Sequence, residues 1–504
     1  MTVSQQIIAA NESGRAAPLV KGATESFDVE DPKVGSGPAR GSAMLFAAVF
    51  TCCMSPILFG FSLCFTSPSQ LTMTSADPAS APAGLVVMTK AQFSTYASML
   101  NVGAVVGAFA GAWISDRIGR KKALAMTAVP HIAAWLAMSL FGAPLSLTAS
   151  RVLVGIAVGM GSSITPCYIG EISPLELRGS LGAANQLSVT TGILFVNVMG
   201  SYVTVVEHQG QSLCQWRQLA LVGVALATVL FVMLAMPESP KWLAQRGDSA
   251  AAKAALARLR TGDCTNEQEA LVAGNEANTA SSFSSQGDLS LFDYKKSLVI
   301  CIGIMLYVQF SGINAILMYT NTICKQAGME DENAAALVVV GLQVVLTGVS
   351  VLIMDKFGRR TLLGSTSLLM FAAHLGLAVY YHWNTIIPSW FALASLGLFM
   401  IGFSIALGPI PWLLTAEIFP TRVLGSASSI ATAINWGTSF IVTKSFDPVQ
   451  DALGGEGIFF LFAMICLGGF AFVHFLLPET KGRTVDEVIA ELHGSERTPR
   501  IRSA

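Results

Sequence analysis

Asp116-Arg117-Ile118-Gly119-Arg120-Lys121-Lys122 and Asp355-Lys356-Phe357-Gly358-Arg359-Arg360 follow one pattern, Asp-basic-x-Gly-Arg-basic, written twice. Each lies between two apolar runs. A helix needs about twenty apolar residues to cross a bilayer. Reading outward from the two clusters gives such runs near 43–66, 91–115, 123–144, 147–169, 181–205 and 218–236. After a long polar stretch they resume near 298–321, 335–354, 361–382, 391–416, 425–445 and 456–477. Each cluster therefore follows the second run of a set of six. A second pair agrees with the first: Glu171 ends the fourth run before Ile172-Ser173-Pro174, and Glu417 ends the tenth before Ile418-Phe419-Pro420. Duplication of this kind points to a transporter built from two repeats.

Composition supports a membrane chain. Of 504 residues, 53% are hydrophobic and 12% charged, with mean hydropathy +0.59. A soluble domain carries about 25% charged residues, so lipid must cover much of this surface. The expected fold class is an all-α membrane protein, with twelve transmembrane helices in two six-helix pseudo-symmetric bundles. Thirty basic and 31 acidic residues nearly cancel, which gives no field for nucleic acid. Nine cysteines lack metal-type spacing and read as small core residues.

An even number of crossings puts both tails on one side. That side holds 25 of the 30 Lys and Arg, the opposite loops hold Lys90, Arg217, Lys325 and Lys444, and Arg151 lies within a run. The positive-inside rule then makes the tails cytosolic. The expected organisation is a disordered tail over 1–42, bundles over 43–236 and 298–477, a linker over 237–297 and a C-tail over 478–504. In the linker, Lys241-Trp242-Leu243 and Ala251–Arg260 read as short amphipathic helices on the cytosolic face, and Ser281–Ser285 as a loop. Arg and Glu at the cytosolic ends of two rocking halves can pair when that end is shut and part when it opens. Such pairs are individually weak, which suits a switch.

With these features in place, the chain resembles the sugar porter family of the major facilitator superfamily over about residues 40–490. The motifs are DRIGRKK (116–122), RGSLGAANQL (178–187), PESPKWL (237–243), QFSGINAILMY (309–319), DKFGRR (355–360), GPIPWLLTAEIFP (408–420) and PETKGRT (478–484). The stretch PESPKWLAQRGD is similar to the branch holding vertebrate endomembrane-type hexose facilitators, insect trehalose transporters and plant early-dehydration-type carriers.

A sugar both donates and accepts hydrogen bonds, so its site needs amides and aromatic faces near the midplane. An amide inside a span is expensive unless satisfied, which makes it a functional candidate. Gln186, Gln309, Asn314, Gln343 and Asn435 are such amides, and Trp412 follows the helix-breaking Gly408-Pro409-Ile410-Pro411. The plainer alternative for any one of them is a bond between helices. The resemblance implies that Gln186, Gln309, Asn314, Trp412 and Asn435 contact hexose. It also implies an amide role for Gln343, aromatics near the pocket at Phe59 and Phe403, and an extracellular gate at Tyr319. The gating set is Arg120, Glu171, Arg178, Glu238, Arg359, Arg360 and Glu417, with Tyr319.

Three positions depart from the family pattern. Val308 replaces an amide, Leu424 replaces an Arg of the second charge network, and Lys241 replaces a bidentate Arg. Proton-coupled relatives carry an Asp in span one near an Arg in span four, and a titrating carboxylate is the physical requirement for symport. Here the span-one pattern is Phe59-Gly60-Phe61-Ser62, with Arg151 retained in span four. Ser62 cannot titrate, so facilitated diffusion of a hexose such as glucose is expected.

An enzyme reading finds no nucleophile–base pair, phosphate loop or metal-spaced histidines, and no cofactor is called for. A channel would need rings of like charge. A proton-coupled sugar or polyol symporter and a non-transporting sugar sensor are the rivals. The expected partners are a sugar and lipid, with the monomer as the working unit and the plasma membrane, rather than an internal membrane, as the address.

Overall fold

The computed structural model describes residues 40–74, 87–174, 177–203, 205–208, 211–262, 264–265, 267–269, 291–354, 356–483 and 485–493. Most of the expected N-terminal tail, Ser281–Ser285, Asp355 and the chain beyond 493 lie outside the described residues.

Among the described residues, ten helical stretches are long and apolar enough to cross a membrane. They are Ala43–Met73, Lys90–Ile118, Arg120–Leu140, Pro144–Ile172, Trp216–Ala235, Leu291–Gln326, Glu332–Ser350, Arg359–His382, Ser389–Ile418 and Val423–Leu476. Two features reconcile ten with the expected twelve. The helix Arg178–Val198 carries Asn185, Gln186 and Asn197, which lower its hydropathy, and it continues through a π-turn over Met199–Val203. Val423–Leu476 is 54 residues, about 80 Å at 1.5 Å per residue, and so exceeds twice the roughly 30 Å hydrocarbon core. Gly454, at φ 71° and ψ 173°, breaks it into two crossings. The separate loop expected between runs eleven and twelve is therefore helical on either side of one glycine. Counting in chain order, the crossings are called spans one to twelve.

Several spans are interrupted, of which the sequence announces the one before Pro409 and Pro411 in span ten. Span one is three pieces, Ala43–Cys52, Met54–Cys64 and Thr66–Met73. Span seven breaks at Gly312, whose φ of 87° separates Lys295–Phe310 from Ile313–Gln326. Only glycine adopts that left-handed geometry without strain. Span ten passes through a π-turn at Phe403–Leu407 before Pro409 and Pro411. Freed backbone groups in such breaks are tolerable at membrane depth only inside the protein or at a cavity.

Spans two and four pack backbone to backbone. A Cβ on Gly103 would lie 2.1 Å from the Val152 carbonyl, and one on Gly155 would lie 2.1 Å from that of Leu100. Small residues at this spacing let helices approach where no hydrophobic effect drives them together.

The linker helices form as expected. Pro240–Gln245 is capped by Ser239, and Ser249–Leu259 by Asp248. Ala252, Ala255, Leu256 and Leu259 are buried. The chain then pairs Arg260-Thr261 with Arg40-Gly41 in a two-stranded ladder, and Ser42 donates to the carbonyls of Leu259 and Arg258. Residues 40–42, expected to belong to the tail, are thus tied to the linker. A hairpin, Val205–His208 with Gln211–Cys214, connects spans five and six.

Candidate functional site

The breaks in span seven place its amides against span eleven. Asn314 Nδ2 donates to Gln309 Oε1 at 2.7 Å and to Ser439 Oγ at 2.7 Å. Gln309 Nε2 donates to Asn435 Oδ1 at 2.8 Å. Ser439 Oγ in turn donates to Asn101 Oδ1 of span two at 3.1 Å. All five side chains are buried, and together they form one hydrogen-bonded chain across three spans. Three of the expected residues are therefore brought together, and Asn101 and Ser439 join them unannounced. Trp436, next to Asn435 in the chain, packs on Phe59, with the rings 5.3 Å apart at 53°.

The remaining candidates stand apart from this chain. Gln343 is buried, and its Oε1 has no partner among the described residues. Gln186 is half-buried on Arg178–Val198. Phe403 packs on Phe399 with centroids 6.2 Å apart. Trp412 is 43% exposed and so belongs to an open surface rather than to the buried network. Among the described residues, no group of three or more His, Cys, Asp or Glu could hold a metal ion.

The two repeated clusters fold into matching constellations. Arg120 grips Glu171 with Nε at 3.0 Å and Nη2 at 3.1 Å, and Asp116 with Nη1 at 2.8 Å. Glu238 Oε1 accepts the backbone N–H groups of Arg120, Lys121 and Ser239 at 2.9, 3.1 and 2.9 Å. In the second half Arg359 meets Glu417 at 3.3 Å. Glu479 there accepts the N–H groups of Arg359, Arg360 and Lys481 at 2.8, 3.2 and 3.1 Å. Thr480 Oγ1 also donates to Glu417 at 2.5 Å. Gly119 and Gly358 make room for these carboxylates, since a Cβ on either would lie within 2.3 Å of a Glu oxygen. Each ion pair lies within its own half. Arg178, expected in the gating set, is exposed.

Bonds between the halves gather at the opposite end. Ser67 Oγ donates to Asn321 Oδ1 at 2.6 Å, and Asn321 Nδ2 donates to Asn333 Oδ1 at 2.6 Å. Ser201 Oγ reaches the same Asn333 oxygen at 3.1 Å. Thr322 donates to Gln70 at 2.8 Å, and Lys444 Nζ to Thr95 at 2.5 Å. Tyr319 lies at a kink, with φ −117°, stacks on Phe446 at 4.9 Å and donates to Asp447 at 3.3 Å. The molecule is thus fastened at the end far from the motif clusters. Among the described residues no ion pair joins the halves at the cluster end.

Ser62 and Arg151 meet as expected, but through the backbone. Arg151 Nη1 donates to the Ser62 carbonyl at 2.7 Å, while Ser62 Oγ turns back to Leu58 O at 2.6 Å. The guanidinium lies near the rings of Tyr96 and Phe65, at 5.2 and 5.9 Å. It is fully buried, with Nε and Nη2 unpartnered.

Sequence reading missed Asn101, Ser439, Asn321, Asn333 and Glu479. The signal for Asn101 was present, because it is an amide in the middle of an apolar run. Glu479 could have been found as the counterpart of Glu238 in the second Pro-Glu motif. The serine and asparagines of the far end carry no sequence signal apart from the partners they meet.

Comparison with known proteins gives consistent matches. The family model described as "Sugar (and other) transporter" matches residues 47–492. The chain is 32% identical over 462 residues to a facilitated trehalose transporter, Tret1, of Bombyx mori, covering 90% of this chain and 88% of that one. It is 33% identical over 473 residues to the facilitated glucose transporter member 8 of solute carrier family 2 from Mus musculus, covering 89% and 94%. Among solved structures, the inward-open form of the E. coli xylose transporter XylE superposes with TM-score 0.73 at 22% identity, covering 89% of this chain and all of that one.

Proposed function

From the premise that the chain belongs to the sugar (and other) transporter family, and hence is a multi-pass membrane sugar transporter, we propose that it carries a hexose, glucose foremost, by facilitated diffusion. The observation that carries this reading is the buried polar chain Asn435–Gln309–Asn314–Ser439, which offers donors and acceptors without a carboxylate. A neutral polyhydroxyl ligand can exchange its hydroxyls for these bonds one for one. Gln186, Gln343, Phe59 and Phe403 would complete the site from other spans, and Trp412, exposed in this conformation, would join it when the cluster end closes. The positive-inside bias supports placing the motif clusters in the cytosol, and the sugar leaves toward them in the conformation described.

Alternating access then needs two exchanges. The far-end bonds through Asn321 and Lys444 open, and the cluster end closes with Arg178 and the paired Arg and Glu residues of the two halves re-partnering. Nothing in this cycle requires a second ion, because what Arg151 meets in span one is the Ser62 carbonyl, which does not titrate.

Radiolabelled glucose uptake in a hexose-transport-null cell, with fructose, galactose, myo-inositol and trehalose as competitors, tests the substrate. Dominant competition by trehalose would replace hexose in this reading. In vesicles with an imposed proton gradient, sugar should equilibrate without accumulating. Accumulation abolished by a protonophore would overturn facilitated diffusion.

A further inference from the structure

Asn101 stands in the middle of span two, buried, and is the first-half member of the hydrogen-bonded chain that runs through Gln309, Asn314 and Asn435. It lies outside the motifs that carry the family resemblance. Ser439 has one proton, and it goes to Asn101 Oδ1. That leaves the Ser439 lone pairs to accept from Asn314 Nδ2, whose remaining bond holds Gln309. Asn101 therefore sets the direction in which the chain is polarised. In a dry interior such polarity is strongly felt, because each bond orients the next.

The same contact is also a joint between the halves. Span two belongs to the first half, and span eleven, which carries Asn435 and Ser439, to the second. They touch again at the far end through Lys444 and Thr95. Opening that end separates span two from span eleven, and the Ser439–Asn101 bond, at 3.1 Å the longest of the chain, parts with it. Among the described residues, the Nδ2 of Asn101 has no partner even now. An amide kept only to pack two helices would have its donor satisfied, because an orphaned buried donor is costly.

We propose that Asn101 is a positioning residue that holds the sugar amides in order only while the far end is shut, so that the site binds sugar differently on its two faces. This inference rests on the sugar-site reading given above.

The test uses the full chain reconstituted in proteoliposomes, with KM and kcat measured on each face for radiolabelled glucose or, if stronger, the best competitor found in the uptake assay. Asn101→Leu should raise KM on the face of the motif clusters about five- to tenfold, the worth of one hydrogen bond, without raising it on the opposite face. Ser439→Ala should reproduce the asymmetry, and the double variant should add nothing, because the two residues act in series. Equal rises on both faces, additive effects, or an unchanged KM in Asn101→Leu would overturn the proposal. If Asn101→Leu fails to fold, Asn101→Ala and Ser439→Ala carry the same comparison. Gln309→Ala is measured alongside: normal transport by it sinks the sugar-site reading itself, whereas impaired transport by it with unchanged Asn101 variants sinks only this inference.

Discussion

Glu238 caps a helix from 118 positions along the chain, and replacing it with alanine tests whether the duplicated motifs stabilise each half from within. The helix Arg120–Met126 has no side-chain cap of its own, because its N-cap is Gly119 at φ 96°. Its first N–H groups go to Glu238 Oε1 at 2.9 and 3.1 Å, with Ser239 adding a third bond at 2.9 Å. A hydrogen bond to a charged group contributes about 1.5–3 kcal/mol when buried, and a carboxylate at a helix N-terminus adds about 0.3–1 kcal/mol. Glu238 is half-buried, so water recovers part of this, and Glu238→Ala should cost about 2–3 kcal/mol. Glu238→Gln keeps an accepting oxygen and loses the charge, for about 1 kcal/mol. At about 2–4 °C per kcal/mol for a body of some 200 residues, Tm in detergent should fall roughly 5–10 °C for alanine and 2–4 °C for glutamine. Glu479→Ala should match Glu238→Ala, since it accepts the equivalent N–H groups of Arg359 and Arg360. Equal Tm values for the Ala and Gln variants, or no loss at Glu479, would refute the capping argument.

Other consequences follow from the same geometry. Gln309→Ala removes the link between Asn314 and Asn435 and should lower kcat/KM for glucose at least about tenfold with surface expression intact, read by uptake and surface labelling. Asn321→Ala cuts the bonds to Ser67 and Asn333 and should shift the population toward opening at the far end about tenfold or more; spin-label distances across that end would register it, and unchanged distances would count against the fastening role. Gly107→Leu should prevent assembly of spans two and four, because even a Cβ there would lie 2.1 Å from the Ile156 carbonyl, whereas Gly170→Leu meets open space; size-exclusion profiles of the two decide it. Ser62→Asp sets a carboxyl beside Arg151 and should make uptake depend on external pH while the parent stays flat. A pH-dependent parent would contradict the uncoupled reading.

Much of this molecule is written in local chemistry. The crossings were legible because lipid demands long apolar runs, and the duplicated Asp-basic-x-Gly-Arg pattern survived because Gly119 and Gly358 must admit a carboxylate. Gln309, Asn314 and Asn435 announced themselves as amides that only a partner could justify. The count of crossings was harder to match to helices, because polar residues dilute Arg178–Val198 and a single glycine turns Val423–Leu476. Partnership across the halves was not legible. Ser67, Asn321, Asn333 and Ser201 are ordinary residues until folding links them in a row by bonds of 2.6, 2.6 and 3.1 Å. The expected pairing of Arg and Glu in the gate likewise depended on which end is shut.

Span eleven is also a mechanical part. Asn435, Ser439 and Lys444 lie on one helical rod, ahead of Pro448 and of the break at Gly454. Nine residues separate Asn435 from Lys444, about 13 Å of stiff lever. A tilt of about 10° pivoting at the sugar amides would swing the Lys444 end by roughly 2 Å, farther than its bond to Thr95 can stretch. On the proposed site, a ligand that nudges Asn435 would pry at the distant fastening without any relay of side chains, so that filling the site and loosening the far door would be one motion.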